Sequence, residues 1–254
     1  MPAASSPTYS ISGFIREKLA VAREACETWS RQRRRRPGMA RVYTPWQVYW
    51  GEAYGLQLKE WLLKPVFEAL ESAGTVGDLI VDVGSGARPV TRFIEAHPGR
   101  KRILVDVAAE NECSAGEQKI RLDVEKVSEP GSLSFRKALL RVCRFLEIAP
   151  GKEGKSADTM VFADILNYVD FRKVLGGFAN FLKPGGRLIV VNLPMRGNQS
   201  LFSEKGLKNN VHLCEWLEQE RFEIEHKAFP CRPKNETDEA EEFIVLVARK
   251  RGGL

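Results

Sequence analysis

The residues best suited to chemistry stand close together in Leu79–Pro89, LIVDVGSGARP, where an acid precedes two glycines. Gly84 and Gly86 permit a tight turn and let a ligand approach bare backbone. Pro89 has the fixed φ that suits the start of a helix, where its missing N–H costs nothing. Strand, glycine turn and helix in that order make the mouth of a nucleotide-type site at the carboxyl end of a sheet. A dinucleotide fingerprint would need a third glycine at position 89, which is Pro89. A phosphate-binding P-loop would need Gly-Lys-Ser/Thr after the turn, and none is present. A second acid, Asp106, closes the apolar run RILVD about twenty residues beyond the glycines, where ribose-binding carboxylates sit in such folds. A carboxylate there accepts two vicinal hydroxyl hydrogens at once. Buried strands ending in glycine turns also occur in many α/β proteins without this role.

These residues require elements that hold them. Leu79–Val83 and Arg102–Val107 are apolar runs of the kind buried on both faces of a parallel sheet. Val90–Ala96 reads as a short helix ended by His97-Pro98-Gly99, and Ile120–Val124 as a third strand ending in Asp123. Residues 126–157 hold a helix with Phe135, Leu139, Val142, Cys143 and Leu146 on one face, then a polar loop. Thr159–Ala163 is a fourth strand, followed by Asp164-Ile165-Leu166-Asn167-Tyr168-Val169-Asp170. A helix over Phe171–Leu182 stops at Lys183-Pro184-Gly185-Gly186, before a fifth strand over Arg187–Leu193. A basic loop leads to a helix through Trp216, and Phe222–Phe229 and Glu242–Ala248 are the last strands. The alternation predicts an α/β, doubly wound seven-stranded sheet, mostly parallel with an antiparallel C-terminal edge strand, plus an N-terminal helical cap.

The chain has 254 residues, 43% of them hydrophobic, enough for one large α/β domain with embellishments. No apolar run of about 18 residues suggests a spanning helix. The start lacks the apolar core of a secretory signal. Five scattered cysteines without a Cys-x-x-Cys pair fit a reducing compartment and argue against a disulfide framework or a zinc site, so no metal is expected and the cytoplasm is the default location.

The formal net charge of +6 is concentrated: residues 1–41 carry nine Lys or Arg against three acids, and the rest of the chain is balanced. The division expected is a cap over residues 1–75 and a ligand-binding domain over 76–254. The Arg31–Arg36 block either recruits RNA or an acidic partner through phosphate contacts, or is a solvated helix end whose cations suit the dipole. Tyr43, Trp46, Tyr49, Trp50 and Tyr54 cluster just after it. Such rings pack a cap against a domain, or roof a pocket where aromatic faces attract a cation. Leu56–Ser72 follows as an amphipathic helix that Pro65 should kink or divide.

Taken together, Asp82-Val83-Gly84-Ser85-Gly86, the strand ending in Asp106, Asp123-Val124, the ADILNYVD segment and the LKPGGRLIVV run resemble the class I S-adenosylmethionine (SAM) dependent methyltransferases of small-molecule type. The resemblance covers roughly residues 76–250. It implies SAM as cofactor and S-adenosylhomocysteine as product, with Gly84, Ser85 and Gly86 beneath the methionine part. Asp82 would orient that loop, or the ligand's ammonium through water. Asp106 would take the ribose hydroxyls, Val107 the adenine, Asp123 and Val124 the adenine edge, and Ala163 and Asp164 the methionine near its methyl group. Arg88 departs from the family's frequent third glycine.

Trp50 and Tyr54 are the rings expected at the cofactor. Tyr49, Asn167, Tyr168, Met195 and Arg196 are candidates for the acceptor pocket. The activity implied is methyl transfer to an O- or N-nucleophile of a small molecule. An RNA acceptor, or a non-catalytic binding module, are the alternatives. No Asn/Asp-Pro-Pro-Tyr follows the fourth strand, which disfavours the amino-methylation arrangement that uses it. Asp164 and His212 are the only candidates for a base. A lone histidine at His212 equally suits a helix end.

Overall fold

The computed structural model describes residues 55–86, 89–106, 113–127, 157–192, 203–229 and 244–252. The Arg31–Arg36 block, the Tyr43–Tyr54 cluster, Arg88, Val107, the helix expected within 126–157, Met195 and Arg196 lie outside the described residues. The chain divides into two compact units, Met1–Gly55 and Leu56–Leu254, and every described strand belongs to the second.

Helix α1 spans Gly55–Ser72. Strands β1 (Leu79–Val83), β2 (Lys101–Asp106) and β3 (Glu117–Arg121) follow, and then a one-turn helix α2 (Val124–Val127). Strand β4 (Ala157–Ala163), helix α3 (Phe171–Ala179), strand β5 (Leu182–Asn192), helix α4 (Asn210–Gln219) and strands β6 (Phe222–Ala228) and β7 (Ile244–Lys250) complete the described elements. All seven strands form one sheet in the order β3-β2-β1-β4-β5-β7-β6. The first five are mutually parallel. β7 inserts antiparallel between β5 and β6, so the antiparallel pairing lies at the C-terminal end of the sheet. The strand order reverses between β1 and β4, the topological switch at which open α/β sheets bind ligands.

The apolar runs are buried because both faces are covered. Val81, Val83, Met160, Phe162, Leu188 and Val190 face Val174, Leu175 and Phe178 of α3 and Leu213 and Leu217 of α4. The alternate residues Ile80, Val161, Ala163, Ile189 and Val191 pack with Leu63 and Phe67 of α1 and with Val90 and Ile94. Pro65 lies inside α1, which continues past it as one helix. Leu63 and Phe67, on either side of the proline, are anchored in the same core, and that packing outweighs the bond Pro65 cannot make.

Several boundaries differ from the sequence reading. Val90–Ala96 is not a helix but a single 3-10 turn, Val90–Phe93, preceded by an extended Pro89. Asp82 Oδ2 captures the Thr91 backbone N–H and hydroxyl, and Ile94, three residues before His97-Pro98, is already extended. The third strand ends at Arg121 and not at Val124. Asp123 Oδ1 accepts from the Glu125 N–H at 3.2 Å and so starts α2 instead of prolonging β3. Helix α3 stops at Ala179, and Leu182 already pairs with Ala157. The ladder then skips the Lys183-Pro184-Gly185-Gly186 excursion and resumes at Thr159–Arg187.

Candidate functional site

The glycine loop is built by the ends of β1 and β2. Gly84 (φ 73°) and Gly86 (φ 59°) occupy the left-handed region that favours glycine. The Gly84 and Ser85 N–H groups both donate to the Val105 carbonyl, at 2.8 and 3.2 Å, which folds the loop onto β2. A Cβ on Gly84 would stand 2.6 Å from Ile165 Cδ1, so this glycine allows the segment after β4 to approach the loop. On Gly86 the corresponding position has nothing within 4 Å among the described residues.

Asp106 terminates β2, and its Oδ2 accepts the Gly86 N–H at 2.8 Å. The carboxylate expected at the ribose and the loop expected under the methionine are thus one hydrogen-bonded unit. Asp82, the penultimate residue of β1 and buried, accepts from the Thr91 N–H at 3.2 Å and the Thr91 hydroxyl at 3.0 Å. These bonds tie the 3-10 turn back to the strand from which the loop departs. The Ser85 hydroxyl is buried in the loop and has no hydrogen-bond partner among the described residues. A buried hydroxyl left so in a folded chain calls for a partner from outside it.

Behind this loop the same sheet face is charged. Arg92 forks onto Glu117 through Nε (2.9 Å) and Nη2 (2.7 Å), and Glu117 also accepts the Ser114 N–H. Burial pushes the Glu117 carboxyl up, but the Arg92 bond, the Ser114 N–H and the Arg102 charge outweigh it and hold the group below the usual carboxylate range. Lys119 of β3 lies within reach of the Gly86 carbonyl. It escapes a reading of the sequence, because EQKIR shows no strand-like apolar pattern.

The rim of β4 and β5 is assembled differently. Asp164 leaves β4 with φ 56°, and its N–H donates to the Val191 carbonyl at 2.8 Å. Aspartate tolerates this region better than most side chains, yet it is a conformation that clusters at functional sites. Asn167 is buried, and its Oδ1 accepts from Asn192 Nδ2 at 3.0 Å. Its carbonyl accepts the Ser203 N–H at 3.1 Å, while the Leu166 carbonyl takes the Leu207 N–H at 2.8 Å. Gly206 allows this approach, since a Cβ there would stand 2.3 Å from the Asn167 carbonyl oxygen. Asn192 ends β5 fully buried, and its Oδ1 has no partner among the described residues. Its only signal in the sequence is an amide closing the apolar run LIVV. Burial, reinforced by the nearby Asp164 carboxylate, pushes the Tyr168 phenol up to about 12.

Asp123 caps α2, Val124 is buried, and the adjacent Glu125 carboxylate accepts the Asp170 N–H at 2.6 Å, which joins the β3 and β4 ends. Ala163 lies in the core against α1. His212 is exposed in the first turn of α4, the helix leading into edge strand β6. Among the described residues no hydrogen bond or ion pair joins it to the loop, to Asp106 or to the amide pair. Tyr49, Trp50, Tyr54, Val107, Met195 and Arg196 lie outside the described residues.

No protein-family model matches the sequence, and no curated protein does. Solved structures do match. The chain superposes on the CurJ carbon methyltransferase with a TM-score of 0.55 at 15% identity, over 82% of this chain and 58% of that one. It therefore spans less than two thirds of that protein. It superposes on the 1,6-didemethyltoxoflavin-N1-methyltransferase of Burkholderia thailandensis with a TM-score of 0.51 at 15% identity, over 98% of this chain and 94% of that one. That structure holds 1,6-didemethyltoxoflavin and S-adenosylhomocysteine. The fold is that of the class I SAM-dependent methyltransferases, as the sequence resemblance implied.

Proposed function

We propose that the chain is a SAM-dependent methyltransferase acting on a small-molecule acceptor through an oxygen or nitrogen nucleophile. The observation that carries this reading is the bond from the Gly86 N–H to Asp106, which makes one preformed cradle of a positive-φ glycine loop and a strand-end carboxylate. The donor set suits the cofactor. Asp106 would accept the ribose hydroxyls, and the buried Ser85 hydroxyl and the open side of Gly86 leave room and a bonding group for the methionine part. Asp82 would act one step back, through Thr91, by fixing the turn that follows the loop.

When bound, the cofactor supplies an electrophilic methyl group, and S-adenosylhomocysteine is what remains. The chain's own contribution is placement: a nucleophile held in line and shielded from water needs little further assistance. The acceptor would lie over the ends of β4 and β5, near Asp164, Asn167, Tyr168 and Asn192. The Tyr168 phenol, pushed up to about 12 chiefly by burial, is protonated at neutral pH, so it can donate a hydrogen bond but does not serve as a base there. The structurally similar N1-methyltransferase holds 1,6-didemethyltoxoflavin beside S-adenosylhomocysteine, and this supports a small molecule as substrate.

Calorimetric titration of the full chain with SAM and with S-adenosylhomocysteine tests the cofactor. Saturable 1:1 binding of both is expected, and absence of binding to either overturns the reading. Release of S-adenosylhomocysteine in the presence of a panel of heteroaromatic N–H and O–H compounds, with none in their absence, would identify the acceptor class.

A further inference from the structure

Lys119 stands in an odd place for its chemistry. It belongs to the edge strand β3, from which a four-carbon stem can carry an ammonium into water, yet it is half-buried. The ladder puts Asp82, Leu104 and Lys119 in one row, and Asp106 beside Arg121 in the next row of the same face. Lys119 therefore leaves the sheet on the face that carries Asp82, bonded to Thr91, and Asp106, bonded to the glycine loop. Its Nζ lies 3.5 Å from the Gly86 carbonyl oxygen, while the Gly86 N–H is bonded to Asp106 at 2.8 Å. Gly86 thus has its N–H bonded to an anion and a cation at the outer limit of hydrogen-bond distance from its carbonyl.

We propose that Lys119 is a positioning residue of the cofactor site, holding the Gly86 carbonyl and offsetting the Asp106 carboxylate so that both are in place before a ribose arrives. The proposal rests on the reading of this loop as a SAM site. The alternative, that the lysine serves only the fold, is opposed by the electrostatics of its surroundings. Burial pulls the Lys119 ammonium below the usual lysine range, and the attraction of Asp106 only partly restores it. Cys113, before β3, and Asp82, on β1, act in the same sense as Asp106, and Arg92, on the 3-10 turn, acts against it. The Arg92 charge is engaged by Glu117, on Lys119's own strand, and so does not substitute for the lysine at Gly86. A charge kept where the fold disfavours it suits a binding role at some cost in stability.

Two consequences follow with opposite signs. In the folded protein Lys119 loses its proton at a lower pH than an ordinary lysine. Its contribution to cofactor binding is therefore present at neutral pH and fades as pH rises through that lowered value. Stability behaves in the reverse way: the unfolded chain holds the proton to higher pH, so the cost of the buried charge is relieved as pH rises.

The test is calorimetric titration of S-adenosylhomocysteine into the full chain from pH 7 to 10, with melting temperatures recorded in parallel. Cys113→Ser serves as the background, so that Lys119 is followed without the neighbouring thiol. Lys119→Met should weaken binding about tenfold at pH 7, the size of one charge-assisted hydrogen bond, with an unchanged or raised melting temperature. Lys119→Arg should bind within about threefold of the parent at pH 7 and keep a constant advantage over Lys119→Met as pH rises, because a guanidinium does not titrate there. The parent should approach the Lys119→Met affinity as pH rises. Equal affinities of parent and Lys119→Met at pH 7, a loss that only tracks a lowered melting temperature, or a gap that ignores pH would each overturn the proposal while leaving the cofactor reading intact. A parent that binds no S-adenosylhomocysteine would overturn that reading and this proposal with it.

Discussion

The carboxyl rim of the sheet has two halves, and they are made of different chemistry. Along β1–β3 the side chains that organise the rim are charged, and each holds backbone: Asp82 the Thr91 N–H, Asp106 the Gly86 N–H, Lys119 the Gly86 carbonyl. Along β4 and β5 the organising pair is neutral, Asn167 with Asn192, next to a phenol held protonated. The charged half is a cradle whose backbone-holding bonds are made before a ligand comes, with the buried Ser85 hydroxyl left over. The neutral half keeps a buried amide oxygen with no partner among the described residues. This contrast is what a transferase requires if one ligand is constant and highly polar and the other is specific and must approach without strong competing charge. It can be broken by variants that disturb one half and should leave the other untouched.

The largest effect is expected where the two halves touch. A Cβ at Gly84 meets Ile165 at 2.6 Å and also forces φ 73° on an alanine. Left-handed strain and overpacking together should cost about 2–4 kcal/mol. For a domain of this size that lowers the melting temperature by about 4–16 °C. Gly86→Ala carries the strain without the clash, so it should cost only about 1–2 kcal/mol. Its affinity for S-adenosylhomocysteine should nevertheless fall further than that of Gly84→Ala measured on folded protein. If scanning calorimetry gives the two variants equal melting temperatures, the loop is not packed against Ile165 as described.

Next in size is Asp106→Ala. Removing an acceptor of charge-assisted bonds should weaken S-adenosylhomocysteine binding by about 1.5–3 kcal/mol, roughly tenfold to 150-fold by titration calorimetry. The variant also frees the Gly86 N–H, so Asp106→Asn, which can still accept that bond, separates loop support from ribose binding. An affinity as low in Asp106→Asn as in Asp106→Ala assigns the loss to the charge. An unchanged affinity in both removes the acid from the site.

The charged half was legible in the sequence because its chemistry is local. Two glycines and two acids, at spacings set by a strand, a turn and a second strand, name their own positions. Leu79–Val83 and the run ending in Asp106 are also apolar enough to announce buried strands. Legibility failed where a side chain overrode a propensity. Asp82 holds the segment after Pro89 to one 3-10 turn, and Asp123 ends a strand one turn early by capping α2. It failed again where partners are far apart in the chain. Lys119 matters through Gly86, 33 residues earlier, and Asn192 through Asn167, 25 residues earlier. Nor does any residue type announce that Asp164 turns with φ 56°.

A smaller effect is expected from Asn192→Leu, which replaces the buried amide by an apolar group of similar size. It removes one hydrogen bond and one unpartnered oxygen together, so the stability change should stay within about 1 kcal/mol. If the halves are independent, S-adenosylhomocysteine affinity should remain within about twofold, while turnover of an acceptor found by panel screening falls at least tenfold. A parallel fall in cofactor affinity would mean that the two halves of the rim are one site and the contrast between them is false.

The smallest effect is a titration that should be absent. Tyr168 is pushed up to about 12 by burial and by Asp164, against the ordinary tyrosine value near 10. Ultraviolet difference titration should therefore show at least one of the five tyrosines still protonated at pH 11, and Tyr168→Phe should remove that late component. The linkage has a definite sign. The unfolded chain gives up this proton near pH 10 and the folded chain near 12, so Tyr168 favours the folded state below pH 10 and its contribution is lost progressively up to about pH 12. Across pH 6–9 the phenol carries its proton in both states, and the turnover profile of Tyr168→Phe should run parallel to that of the parent, lowered by a constant factor if the hydroxyl donates to the acceptor. A limb near pH 8 that disappears in Tyr168→Phe would mean that the phenol ionises in the working range. The β4–β5 half would then contain a base, and its description as the neutral side of the rim would be wrong.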